Sequence, residues 1–316
     1  MEKLCKNFLL VLLLVVVAAN PTSFCLASES NDLARGVFSF GDSILDAGTN
    51  HFNQNCSAQA DFPPYGSSFF HRPTGRFTNG RTGVTSLQVQ LQQFKTLVEQ
   101  NHTDQNIIKK SIFFLESGSN DIFGYFLPFD TPTLSPEAYV QAMLVEVSKF
   151  IDQIYKLGAR RIALFSLGPV GCVPARALLG GPANKCYGKM NKMAKDYNKG
   201  LESMVNDIPV KYPGVVGVYG AVYDVVQRFR SIPTRYGFTN VTDACCGDGL
   251  LGGELQCGRE GYKICAKPNE YLFWDYFHPT EHAYKIISKA LWAGTTARIR
   301  PVNLKTLANI TLATMV

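Results

Sequence analysis

Four short runs, over residues 37–40, 112–115, 162–165 and 215–219, are apolar at nearly every position instead of at alternate ones. Runs of that length and character predict strands buried on both faces, the mark of a parallel sheet covered on each side. Between them the apolar residues recur at helical spacing. The plainest case opens at Ser135, a capping side chain, takes Pro136 into its first turn and is followed by Gly158, which suits a left-handed exit. Its predicted apolar stripe is Tyr139, Met143, Val147, Phe150, Ile154 and Leu157. Further helices are predicted over 185–205 and 281–292. Strand and helix in alternation predict an α/β fold, helices wrapping a parallel sheet with the site at the carboxyl ends of the strands. No internal repeat and no linker divides the chain, so residues 28–316 are expected to form one domain.

The N-terminus departs from this pattern. Lys3 and Lys6 precede an apolar run over 8–19, followed by small residues ending in "CLASES". That is the pattern of a secretory signal peptide, with cleavage expected near Ala27, and the run falls short of the roughly 20 residues that span a bilayer. Export puts Cys56, Cys172, Cys186, Cys245, Cys246, Cys257 and Cys265 in an oxidising compartment, where disulfides are the default and an odd number leaves one thiol over. Compartment and spacing suggest a Cys172–Cys186 bridge. The last four cysteines do not match the paired C-x-x-C spacing of a zinc site. Sequons stand at Asn55, Asn101, Asn240 and Asn309. The formal charge of +6 is scattered, without the basic stripe of a nucleic-acid binder.

Candidate chemistry gathers where strands end. In "FSFGDSILDAGTN", residues 38–50, the first strand runs directly into Asp42 and Ser43. A serine hydroxyl needs a base to act as a nucleophile, and a histidine oriented by a carboxylate is the common remedy. Of the five histidines, His102 sits in a sequon, His51 and His71 lie in polar loops without a nearby acid, and His282 reads as a helix-surface residue. His278, in "FWDYFHPTEHAY", has Asp275 three residues before it, so one tight turn can aim the acid at one ring nitrogen and leave the other for Ser43. An isolated D-x-x-H is more often a plain loop pair; the serine at a strand end is what raises it. In "FFLESGSND" a second strand ends on small polar residues, where Asn120 offers an amide to an oxyanion. The strands ending at Phe40 and Leu115 are expected neighbours. Asp42 and Asp121 read as turn and cap residues. Aromatics near 122–129 and 271–277 suit either an acyl pocket or the core. A metal-dependent phosphoesterase built on Asp42, Asp46 and His51 is a weaker alternative.

Taken together these stretches resemble the GDSL-type esterase/lipases of the SGNH hydrolase superfamily, particularly the secreted plant branch. "DFPPYG", "RPTGRFTNGRT", "LGPVGCVP" and "CCG" add to the likeness, which covers most of the chain. The resemblance implies a three-layer α/β/α sandwich of flavodoxin-like type. It implies Ser43 as nucleophile, His278 as base, Asp275 as its orienter, and the Ser43 amide with Asn120 in the oxyanion hole. The implied reaction is hydrolysis of lipid or cell-wall acyl esters through an acyl-enzyme, outside the cell in the apoplast or wall. It calls for neither metal nor cofactor, for no nucleic acid and no stable membrane span, and leaves the oligomeric state open. One departure stands out: after Thr82 the chain passes straight to "GVTSLQVQLQQFK", where the family continues through a helix, a strand and a glycine-bearing block. The expected consequences are an internal deletion near 82–83, the loss of one edge strand beside the first strand, and an oxyanion donor without a counterpart. The alternative function is therefore a weakened or silent secreted protein of the same fold.

Overall fold

The computed structural model describes residues 33–45, 60, 62–65, 86–126, 132–180 and 185–312. The leader, the join near 82–83, Asp46, His51, Asn55, Cys56 and His71 lie outside the described residues.

The central sheet has the order β1-β2-β3-β4-β9. Strands β1 (Val37–Gly41), β2 (Ile112–Glu116), β3 (Arg161–Phe165) and β4 (Val216–Gly220) run parallel, and the short β9 (Ile299–Arg300) closes the far edge antiparallel. All five residues of β3 are buried, Arg161 together with the apolar run 162–165, whereas β1 leaves Val37 and Ser39 in solvent. Among the described residues β1 is an edge strand. The order of the remaining small pairs is β5 (Asn240–Ala244) with β8 (Tyr271–Phe273), and β6 (Cys246–Gly247) with β7 (Lys263–Ile264).

Helices cover both faces. They are α1 (Leu87–Glu99), α2 (Gln105–Lys110), α3 (Ser119–Tyr125), α4 (Pro136–Lys156), α5 (Pro174–Ala177), α6 (Gly188–Lys211), α7 (Val222–Ser231), α8 (Glu281–Ala293) and α9 (Leu304–Asn309). Helix α4 begins as read: Ser135 Oγ accepts the Ala138 amide at 3.2 Å and Pro136 occupies the first turn. Its buried stripe is broader than the predicted one. Val140, Leu144 and Ile151 join Val147, Phe150 and Ile154 in the interior, while Tyr139, Met143 and Leu157 are half-buried at its border. Helix α6 outruns its predicted end because Val205 and Ile208 still pack on the sheet, and Pro209 is tolerated so near the last turn.

Phe94 of α1 packs on Phe38 and Phe40 of β1 with ring centroids 4.8 and 5.7 Å apart, so one face of the edge strand is covered. Disulfides join Cys172 to Cys186, Cys245 to Cys265 and Cys246 to Cys257. No helix among the described residues is long and apolar enough to cross a membrane.

Candidate active site

The carboxyl ends of β1 and β2 lie side by side, with Gly41 opposite Glu116. At that point the backbones touch. A Cβ on Gly41, at φ +151°, would stand 1.8 Å from the Glu116 carbonyl oxygen, so only glycine lets the chain turn here. The turn is held from its open side by Gln90 of α1. Its side-chain oxygen accepts the Gly41 amide at 3.0 Å, and its nitrogen donates to the Gly41 carbonyl at 2.8 Å. One side chain thus supplies the pair of contacts that a neighbouring strand would give at that residue.

Ser43 leaves this turn and meets His278, with Ser43 Oγ 2.9 Å from Nε2. His278 Nδ1 lies 2.8 and 3.1 Å from the two carboxylate oxygens of Asp275. A carboxylate only accepts, so Nδ1 carries the proton and Nε2 is left to accept from the serine hydroxyl. Asp275 is fully buried. Burial alone would raise its pKa, but His278 beside it and the amides of Phe277 (2.9 Å) and His278 (2.8 Å) hold the group below the usual aspartate value. The same two amides explain the spacing of the motif: the carboxylate closes an Asx-type turn that carries its own histidine. The Tyr65 hydroxyl donates to the remaining oxygen at 2.9 Å. Burial and the adjacent anion push that phenol far up, so it stays a donor.

Asn120 sits in the first turn of α3, four residues beyond Glu116 on the neighbouring strand. Among the described residues neither its side-chain amide nor the Ser43 N–H is engaged in a hydrogen bond. Of the aromatic stretches, Ile122, Phe123, Leu272 and Phe273 belong to the core, and Phe123 of α3 meets Phe277, next to His278, with ring centroids 5.0 Å apart. The Arg176 guanidinium lies 5.0 Å from both ring centroids.

The remaining candidates fall elsewhere. His282 is not a surface residue: it is half-buried, its Nε2 sits 2.8 Å from the Tyr236 carbonyl and its ring packs on Phe238 at 5.2 Å. His102 is far along the chain in the turn after α1, outside this constellation. Asp46 and His51 of the phosphoesterase alternative lie outside the described residues, and Asp42 instead faces Glu116.

A model of the GDSL-like lipase/acylhydrolase family matches residues 37–291. GDSL esterase/lipase 6 of Arabidopsis thaliana is 58% identical over 334 aligned positions, which cover 89% of this chain and 92% of that protein. GDSL esterase/lipase 7 of the same plant is 31% identical over 364 positions, covering 95% and 98%. Both alignments are longer than the chain's own 316 residues, so these relatives carry residues that have no counterpart here. A strand-end serine, a histidine and acid from one tight turn, and a family match over most of the length put the chain in the GDSL lipase/acylhydrolase family of carboxylic ester hydrolases.

Proposed function

We propose that this chain is a secreted serine esterase that cleaves lipid or cell-wall acyl esters with Ser43, His278 and Asp275. The observation that carries the reading is the unbroken chain of hydrogen bonds from Ser43 Oγ to a fully buried acid. His278 Nε2 takes the hydroxyl proton as Ser43 Oγ attacks the ester carbonyl. The buried Asp275 carboxylate stabilises the imidazolium that forms. The tetrahedral oxyanion is met by the Ser43 amide and the Asn120 side chain, the two idle donors at the strand ends. Collapse returns the proton from His278 to the departing alcohol. Water, deprotonated by the same ring, then attacks the acyl-enzyme and releases the carboxylic acid and Ser43. No step calls for a metal or an organic cofactor.

Export rests on the leader-like N-terminus and agrees with three disulfides joining six of the mature cysteines. The Phe123–Phe277 pair, whose Phe277 adjoins His278, offers an apolar wall for the acyl group.

A second reading, a slowed or silent protein of the same fold, is favoured by the excess length of the relatives' alignments. Loss of one oxyanion donor costs about 100- to 1,000-fold in turnover, which slows an esterase without abolishing it. A fluorophosphonate probe separates the two readings. Labelling of the wild type that disappears in Ser43→Ala supports the esterase; well-folded protein that takes no label supports the silent form.

A further inference from the structure

The two strands that carry the site end on a pair of acids that the ester chemistry leaves unused. Asp42 N–H donates to the Glu116 carbonyl at 3.2 Å, so the residues are tied through the backbone, and their side chains face each other, Asp42 half-buried and Glu116 enclosed. Glu116 is 3% exposed. Asp42 Oδ1 accepts the Ile44 amide at 3.3 Å, but Asp42 Oδ2 and both Glu116 oxygens are buried without a conventional donor. The groups that act on the pair come from every packed element: Ser119 and Asp121 of α3, Tyr197 of α6, His278 of the loop before α8, and Tyr284 of α8. Two carboxylates in contact inside a protein cannot both ionise, whereas one proton between them turns a repulsive contact into a charge-assisted hydrogen bond.

We propose that Asp42 and Glu116 share one proton, with protonated Glu116 donating to Asp42 Oδ2, and that this acid–acid bond positions the turn presenting Ser43. Asp42 Oδ1 already accepts the Ile44 amide, which favours its anion, whereas neither Glu116 oxygen accepts such a donor, which makes Glu116 the proton carrier; burial raises both groups above their ordinary values. Glu116 is a positioning residue: it acts through Asp42 and touches no reacting atom. The effect on turnover rests on the esterase reading; the shared proton does not.

Glu116→Gln keeps an N–H donor at every pH. It is expected to retain at least about a third of kcat with KM unchanged, and to lose the alkaline decline caused when the wild-type pair gives up its proton. Glu116→Leu removes the tie and is expected to lower kcat by about 100-fold, the scale of a 1 Å displacement of the nucleophile, again with KM nearly unchanged. Equal losses in the two variants, or an alkaline limb unmoved by glutamine, would overturn the proposal. An infrared measurement decides the matter without activity. Wild type and Ser43→Ala should show the carbonyl stretch of a protonated carboxyl at neutral pH, shifting when glutamate is labelled with carbon-13. A folded protein without that band refutes the shared proton, even if it hydrolyses esters. A protein with the band that takes no fluorophosphonate refutes only the esterase reading.

Discussion

The two ends of the central sheet bury charge in opposite ways. At the amino end Arg161 of β3 is completely enclosed, and among the described residues its guanidinium donates to the backbone carbonyls of Leu307 at 3.0 Å, Lys110 at 3.2 Å and Ile310 at 2.7 Å. These acceptors come from the end of α2, from α9 and from Ile310 just past it, so the cation on β3 fastens α9 to the sheet and to the end of α2. At the carboxyl end the enclosed groups are acids. Asp275 is spoken for by a histidine, two amides and a tyrosine, but Asp42 and Glu116 have chiefly each other. A buried polar group with its partners in place adds cohesion; one without them costs stability and persists where it serves the site. One end of the sheet is built to hold, the other to react.

Four measurements would break or sharpen that contrast. The largest effect is expected for Ser43→Ala, which should cut ester hydrolysis by about 10⁶-fold while leaving the thermal midpoint nearly unchanged. A stability loss comparable to that of a core substitution would mean the reactive end also holds the fold together. Next comes Arg161→Met, expected to destabilise by about 3 to 5 kcal/mol through the orphaned carbonyls, measured by denaturant titration, with kcat per folded molecule preserved. Tyr65→Phe follows: removing one donor from Asp275 should lower kcat roughly tenfold and stability by about 1 to 1.5 kcal/mol. The smallest effect is expected for Lys263→Ala, which breaks an exposed ion pair with Asp248 and should not measurably move the thermal midpoint.

The same contrast fixes the dependence of stability on pH. Asp275 lies below its ordinary value, so its contribution is present above the normal aspartate range and is lost as pH falls through the lowered value. Asp42 and Glu116 are raised, so theirs is present at low pH and is lost as pH climbs through the raised values. Thermal midpoints against pH should therefore fall at both ends. Glu116→Gln should flatten only the alkaline side.

How much of this the chain announces depends on how local each pattern is. The parallel strands, the cap of α4 and the Asp275–His278 turn are written within a few consecutive residues, and each appears where the pattern puts it. Ser43 is legible because a buried strand ends on it. Gln90, Tyr65, Glu116 and Asn198 are not. Asn198 of α6, for example, accepts the Leu167 amide at 2.8 Å and donates to its carbonyl at 3.0 Å, finishing the end of β3 as Gln90 finishes β1. Such side chains meet groups dozens or hundreds of positions away, backbone for Gln90 and Asn198 and carboxylates for Tyr65 and Glu116, and nothing beside them in the sequence marks the partner. His282 was misread for the same reason: its partner, Tyr236 O, belongs to a different segment.

Gln90 also bears on the company the protein keeps. An exposed strand edge invites a strand from another molecule, and growth by such pairing needs consecutive free rungs. With its amide clasped to Gly41, Gln90 leaves a visiting strand no foothold at the rung adjoining the reactive turn, so any polymer seeded on this edge must begin further back, toward Val37.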